Sequence, residues 1–516
     1  MYPQRAFGRL RPPSKEEITK YAASFGWALQ DQEIAELTRE TNSALLSLDE
    51  IEGLDEITPS LKYVHRDPGR TPVGDEDPFN AFIRFCEVKG ATAGPLAGRT
   101  VAVKDCIAVA GVPMTNGGRR TPVLVPTEDA VVVERLLDAG VTITGKTNLE
   151  DLGCGLGEGS YFGAARNPLN PKRSTGGSSS GSAAAVAAGQ VDLGLGADEG
   201  GSIRIPSAWC GLVGMKATHG LVPSYGMTYL DHTMDHIGPI TRTVSDNALM
   251  LQVIAGRDER DPQWVSPGAE FPSEEAHYEY AAQKGIGVVG LRVGVVEQSL
   301  DPVGATNGVK AAFAQTVKQL KEMGAVVSTV SIPLWVDGHK IHSAVLTAAM
   351  TSMTQSFGTA NFSHLGRIDP QSVAILAAQA RLQGSDLPPM MKAAFLVREH
   401  IHREYHDLPF VKAHNLRLEL SRHVNEALKS VDVLVTPTTP GIAHKLANQL
   451  TAGELVSGRT GNSPSNTAPL DLTGHPALTV PGGKAEDDMP VGFQVISSHF
   501  GEIWCYRVGF ALEAAG

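Results

Sequence analysis

One stretch constrains this chain more than any other: Ser174 to Arg204, STGGSSSGSAAAVAAGQVDLGLGADEGGSIR. Two small-residue clusters, Gly176-Gly177-Ser178-Ser179-Ser180-Gly181-Ser182 and Gly200-Gly201-Ser202, stand at the two ends of an ordered connection. Ala183 to Ala188 consists almost wholly of strong helix formers. Val191 to Leu195 reads as a buried strand running into the turn Ala197-Asp198-Glu199-Gly200-Gly201-Ser202. Glycine serves where backbone must take φ > 0 or approach a ligand, and serine brings a hydroxyl that can be nucleophile or proton carrier. A flexible Gly/Ser spacer has no reason to carry an alanine helix or the run SIRIP, so the segment reads as a site.

The chain on either side alternates strand and helix. Thr100 to Val103 predicts a strand, Asp129 to Ala139 a helix and Val141 to Thr144 a strand, ahead of the helix and strand already described. Leu291 to Val296, Val309 to Met323 and Val326 to Ile332 repeat the unit, and Val431 to Val435 returns to strand. Such alternation predicts an α/β fold with a mixed central sheet covered by helices on both faces. Before it, Ser14-Lys15-Glu16-Glu17 has the form of a capping box, and the helical spacing continues over Asp31 to Leu48. Residues 1–75 are therefore expected to be a helical leader and linker, the polar stretch His65 to Pro78 being the linker, with one domain over 76–516. Long helical patterns at about 338–428 predict a helical insertion that covers one side of the sheet and shapes the pocket.

Composition excludes several classes. A net charge of −12 argues against nucleic acid or an anionic membrane as the main partner. The five cysteines are scattered, odd in number and never arranged as CxxC, which suggests neither a disulfide framework nor a zinc site. Without an apolar leader or a bilayer-length apolar run, a soluble cytoplasmic protein is expected. Gly140 to Thr147 matches the phosphate-loop pattern GxxxxGK[ST], but Val141-Thr142-Ile143-Thr144 is a run of β-branched residues that should itself be a strand, and a strand cannot wrap a phosphate.

The two clusters, with GLGADEGGSIRIPSAWCGLVGMKATHG and the upstream Val101-Ala102-Val103-Lys104-Asp105, resemble the amidase signature family of serine hydrolases. NTAPLDLTGHPALTVPGG and MPVGFQV near the C-terminus are similar to that family as well. The resemblance implies the amidase signature fold and a Ser–Ser–Lys relay. Ser202 would attack the carbonyl, Ser178 would pass its proton, and Lys104 would accept it and return it to the leaving amine. Ser178 is chosen as the first serine after Gly176-Gly177, and the family pattern implies a cis peptide at Gly177–Ser178. In a closed site desolvation disfavours an ammonium, and a neutral amine is a base. The backbone N–H groups of Glu199, Gly200, Gly201 and Ser202 would face the oxyanion, with Asp198, Arg204 and Ser179 in support. No cofactor or metal is implied, since the relay moves only protons.

This chain departs from the usual family form at Ala197, where Thr is common, at Glu199, where the residue is uncharged, and at Ser180, where glycine is common. A carboxylate at Glu199 pointing inward would oppose the developing charge, so it should point away or be held by a basic partner. His219, His232, His236 and His475 show no spacing that singles out a triad member. Cys154, with Leu152 and Leu156, lines the acyl pocket by resemblance, core packing being the equal alternative. The reading is a free-standing amidase acting through an acyl-enzyme on small aliphatic or aromatic amides. Its partners are expected to be a small-molecule amide or carbamate and a second copy in a homodimer, with no nucleic acid and no membrane. The alternatives are a carbamate or anilide hydrolase and the amidase-type subunit of a tRNA-dependent amidotransferase.

Overall fold

The computed structural model describes residues 10–515 except 52, 56–59, 120–122, 154, 156–157, 262, 264–286, 356–365, 370–372, 374–388 and 447–462. It divides into two compact units, Met1–Ser60 and Leu61–Gly516. In the first, the helix Lys15–Ser24 opens with the capping box: the Glu17 N–H donates to Ser14 Oγ at 3.2 Å and the Ser14 N–H to Glu17 Oε2 at 2.8 Å. The helix Asp31–Ile51 follows.

The second unit is built on a mixed sheet. Its strands are β1 (Arg66–Arg70), β2 (Phe82–Lys89), β3 (Thr100–Lys104), β4 (Thr142–Thr147), β5 (Leu193–Asp198) and β6 (Val213–Lys216). After these come β7 (His236–Thr241), β8 (Arg292–Val296), β9 (Val326–Val330), β10 (Val433–Pro437), β11 (Ala477–Lys484) and β12 (Pro490–Ile496). The spatial order is β1-β2-β4-β3-β5-β7-β6-β11-β12-β10-β8-β9. β3 runs parallel to both β4 and β5, with Val101 opposite Ile143 on one side and Leu193 on the other. The phosphate-loop look-alike is thus β4, as its β-branched run predicts.

Alternation along β3 shows how both faces are covered. Val101 and Val103 join a core with Val132, Leu136 and Leu251 of the helices Val131–Asp138 and Val244–Ile254. Ala102 between them packs with Ala183, Ala184 and Val186 of the helix Ser180–Ala187. In β10 the same rule sends Val433 and Val435 to the first core and Leu434 to a third cluster around Trp335, Leu420 and Val424. The region at about 338–428 carries the helices Gly338–Gln355, Pro389–Tyr405 and Leu408–Ser430, the last two separated by a turn at His406 and Asp407.

The stretch read as a linker holds an edge strand instead. β1 carries Pro68 and Gly69, which an edge tolerates, and is anchored by Arg66, whose guanidinium makes a two-pronged contact with the buried Asp129 at 2.8 and 2.5 Å. Polar composition hid a strand whose order comes from a partner 63 residues away. Among the described residues no helix is long and apolar enough to cross a membrane.

Candidate active site

The site stands where β3 and β5 end side by side, at the carboxyl edge where sheets of this kind bind ligands. Lys104 closes the apolar strand Thr100–Lys104 and is 2% exposed. Its Nζ donates to Ser178 Oγ at 2.7 Å and to the Ala197 carbonyl at 3.1 Å. Both are neutral oxygens, and no carboxylate lies within ion-pair distance of Lys104 among the described residues. The neighbouring Asp105 is engaged elsewhere: it pairs with the fully buried Lys146 at 3.0 Å and accepts from Thr115 N and Oγ1.

The Gly177–Ser178 peptide is cis. Ser179 locks the serine loop to β5, donating from Oγ to Ala197 O at 3.1 Å while accepting the Ala197 N–H at 3.2 Å. The Ser179 N–H donates to the Ser202 carbonyl at 3.2 Å, which ties the two serine clusters together. This close approach needs Gly196, where a Cβ would stand 3.0 Å from Ser179 Oγ. Ala197 lacks the family's hydroxyl, and its backbone carbonyl serves both Lys104 and Ser179. Ser180 starts the helix and donates to Asn148 O at 3.4 Å. Ser202 is the partly exposed residue in an otherwise buried run from Gly201 to Cys210, and no hydrogen bond joins its Oγ to Ser178 among the described residues.

Beneath the turn lies a buried ion network. Asp198 Oδ2 accepts from Ile203 N and Arg204 Nε at 3.0 Å, and Oδ1 accepts from Arg204 Nη2 at 3.0 Å. Arg204, 0% exposed, also donates to Asp471 at 2.7 Å and to Thr467 O and Gln494 Oε1 at 3.0 Å. Burial pushes the Asp198 carboxyl up, but the guanidinium outweighs it and holds the group well below the ordinary range. Asp471, also buried, is pushed well above its ordinary value despite Arg204. Lys216 lies in the same pocket, 3.2 Å from His236 Nε2, and burial lowers it to about 8.

Of the four N–H groups expected to face an oxyanion, that of Gly201 is already taken: it donates to Asp198 Oδ1 at 2.6 Å. The carboxylate three residues upstream captures it, leaving Glu199, Gly200 and Ser202 as the donors the turn can offer. Gly201 has φ of 132°, and a Cβ there would run into the Thr467 side chain and Ile205 Cδ1. Gly201→Ala is expected to destabilise the protein by about 1–3 kcal/mol. It should also slow any reaction at Ser202 by more than about tenfold, through misplaced donors. Thermal unfolding together with labelling of Ser202 by a fluorophosphonate checks both, and an alanine variant indistinguishable from wild type would show the turn to be slack.

Glu199 is held by a residue with no motif to announce it. His342, in the helix Gly338–Gln355, places Nε2 2.8 Å from the Glu199 carbonyl oxygen and 3.1 Å from its Oε1. Nε2 lies nearer the carbonyl, and Oε1 has no hydrogen-bond partner among the described residues, so the carboxylate contact is chiefly electrostatic. Burial alone would lower the imidazolium's pKa, but the Glu199 charge outweighs it and raises it to about 9.

Asp471, Thr467 and Gln494 come from the C-terminal stretches whose resemblance to the family gave them no individual role. The sequence signal was present, but the contacts were not legible. Among the described residues none of these histidines bonds to Ser202, Ser178 or Lys104: His219 contacts His232 O, His236 lies in the ion network 3.7 Å from Asp471, and His475 contacts Thr473 and Asn425. Cys154 and Leu156 lie outside the described residues, whereas Leu152 sits in a short turn at φ 56°.

A buried amine bonded to a hydroxyl beneath a glycine–serine turn, on a mixed sheet wrapped by helices, fits a serine nucleophile with a base in reach, and the family match places the protein among the carbon–nitrogen hydrolases. The chain belongs to the amidase family, whose model matches residues 86–505. It is 38% identical over 435 residues to the glutamyl-tRNA(Gln) amidotransferase A subunit of Haloarcula marismortui, covering 84% of this chain and 99% of that one. The protein of the same name from an Exiguobacterium species is 34% identical, covering 86% and 88%. The crystal structure of the glutamyl-tRNA(Gln) amidotransferase A subunit from Thermotoga maritima superposes with a TM-score of 0.66 at 32% identity, covering 82% and 84%. The native peptide amidase of Stenotrophomonas maltophilia does so with 0.66 at 30%, covering 82% and 83%.

These relatives correct two expectations. The free-standing amidase of small aliphatic or aromatic amides gives way to its alternative, since relatives aligned over nearly their whole length are named as amidotransferase subunits. The expected partners, a small amide or carbamate and a second copy with no nucleic acid, are overturned by the same names, which specify one component of a larger enzyme together with a tRNA. The physical reason is that a net charge of −12 describes one chain and not an assembly.

Proposed function

We propose that this chain is the amidase-type subunit of a tRNA-dependent amidotransferase, cleaving the carbon–nitrogen bond of a primary amide whose nitrogen is passed to a glutamyl-tRNA. The observation that carries this is its 38% identity to an amidotransferase relative across 99% of that protein's length. The chemistry is assigned to Ser202, Ser178 and Lys104, and the 2.7 Å contact between the last two supports it. Ser202 Oγ bonds to the amide carbon while its proton passes through Ser178 to Lys104. The tetrahedral oxyanion meets the N–H groups of Glu199, Gly200 and Ser202. Lys104 then returns the proton to the nitrogen, the C–N bond breaks, and ammonia leaves an acyl-enzyme that water hydrolyses. Asp198, Arg204 and Ser179 hold the turn and the serine loop in register.

The test is amide transfer by the tagged full-length chain isolated with its partners from its own cells, given glutamyl-tRNA(Gln), a panel of primary amides including glutamine and asparagine, and ATP with magnesium, since the glutamyl carboxylate must be activated as an acyl phosphate before ammonia can displace its oxygen as phosphate. Wild type should form glutaminyl-tRNA(Gln), and Ser202→Ala should not. Ammonia release without any tRNA-linked product, or transfer that survives Ser202→Ala, would overturn the reading.

A further inference from the structure

The Glu199–Gly200 peptide supplies one of the turn's available donors, the Gly200 N–H. Its carbonyl accepts from His342 Nε2 at 2.8 Å, and the next carbonyl, that of Gly200, accepts from Thr467 Oγ1 at 2.7 Å. The imidazole also covers Gly200, where a Cβ would stand 3.0 Å from His342 Cε1. His342 is 5% exposed and comes from the insertion, well apart from every signature stretch. A donor on a peptide carbonyl polarises that peptide and strengthens its N–H as a donor in turn. A cation beside Glu199 also cancels a carboxylate that would oppose charge developing on the substrate oxygen.

We propose that His342 is a positioning residue of the oxyanion turn: as an imidazolium it neutralises Glu199 and polarises the Glu199–Gly200 peptide toward the oxyanion. This rests on the reading of Ser202 as the nucleophile. The pair makes the departure at Glu199 compatible with an oxyanion site, because the charge arrives with its counter-charge. The charged or titratable groups facing the imidazole are Glu199 from the turn, Asp471 from the helix Ala468–Thr473 and His339 from its own helix, while Asp235 faces Glu199. A histidine raised to about 9 contributes stability that is fully present below its ordinary 6.5 and is lost as pH rises through about 9. The turn should loosen over the same interval.

The experiment is the rate at which a fluorophosphonate labels Ser202 in the full-length chain, followed by mass spectrometry from pH 6 to pH 10.5. Ser202 Oγ bonds to phosphorus, fluoride leaves, and the P–O group occupies the oxyanion position, so no natural amide or partner is needed. His342→Gln should slow labelling by about 10- to 100-fold, since a bare carboxylate then faces the oxyanion. Adding Glu199→Gln to it should recover most of the loss, and wild type should lose rate above about pH 9 while the double variant does not. If His342→Gln proves too unstable to assay, the double variant and the wild-type profile still decide. A double variant as slow as the single one, or a wild-type profile without the alkaline fall, overturns the role of His342. Wild type that does not label, or labelling that persists in Ser202→Ala, overturns the hydrolytic reading itself.

Discussion

Lys104→Ala is expected to reduce amide cleavage, and fluorophosphonate labelling of Ser202, by at least about a thousandfold, while the protein still folds. Lys104 is the sole group of the site with a nitrogen on Ser178 Oγ among the described residues, at 2.7 Å. Without it the proton leaving Ser202 has no acceptor within the cluster, because both serines are themselves poor bases. The structural cost is modest by comparison: Ala197 O keeps its bond from Ser179, and Ser178 loses one partner, a loss of about 1–3 kcal/mol. Lys146 is the informative contrast. It is equally buried on the adjacent strand but paired with Asp105, so removing it should cost stability without the same loss of Ser202 reactivity in the fraction that folds. A Lys104→Ala variant that labels Ser202 within tenfold of wild type would show that some other group takes the proton.

Arg204→Ala is expected to cost about 3–5 kcal/mol of folding stability. The guanidinium bridges two carboxylates with no exposed side-chain surface, Asp198 and Asp471, and it also satisfies Thr467 O and Gln494 Oε1. Removing it strands the Asp198 charge and takes from Asp471, Thr467 O and Gln494 Oε1 the donor they share. Lysine should not rescue, because a single ammonium cannot reproduce contacts made in a fixed plane in several directions. The sign of the pH dependence follows from Asp198. Its pKa is depressed in the folded protein, so its pairing stabilises above the ordinary 3.8 and is lost as pH falls through the folded value. The gap between wild type and Arg204→Ala should therefore be widest near neutrality and shrink in acid. Urea unfolding at two pH values measures it, and equal midpoints at neutral pH would remove the network from any role in stability.

The contrast between these two residues shows what kind of information each carried in the sequence. Lys104 could be placed through the resemblance of Val101 to Asp105 to the amidase signature, since a lysine at the end of an apolar strand carries no role by itself. Arg204 could be placed beside Asp198 by proximity, yet Asp471 and Gln494 lie 267 and 290 residues further on. His342, 143 residues from Glu199, left only the inference that a carboxylate beside an oxyanion turn needs a counter-charge. The strand Arg66–Arg70 was hidden for a similar reason, its order depending on Asp129 and on pairing with β2.

The sequence by itself determined the strand–helix alternation, the two-sided α/β sheet, the capping box at Ser14 and the glycine–serine turns, because propensity, periodicity and backbone permissiveness act over a few residues. Family membership was legible for the same reason, being carried by contiguous stretches. Only the tertiary structure decided that Gly201 gives its N–H to Asp198, that Arg204 joins two carboxylates, and that the helix Gly338–Gln355 delivers His342 to the turn. Two of these, Arg204 with Asp471 and His342 with Glu199, join segments far apart in the chain, whereas the Gly201–Asp198 bond spans three residues and depends on which way the turn aims its N–H groups. Electrostatics and hydrogen bonding depend on distance in space, and no local pattern encodes which distant group will fill a buried position once the sheet has closed its neighbours together.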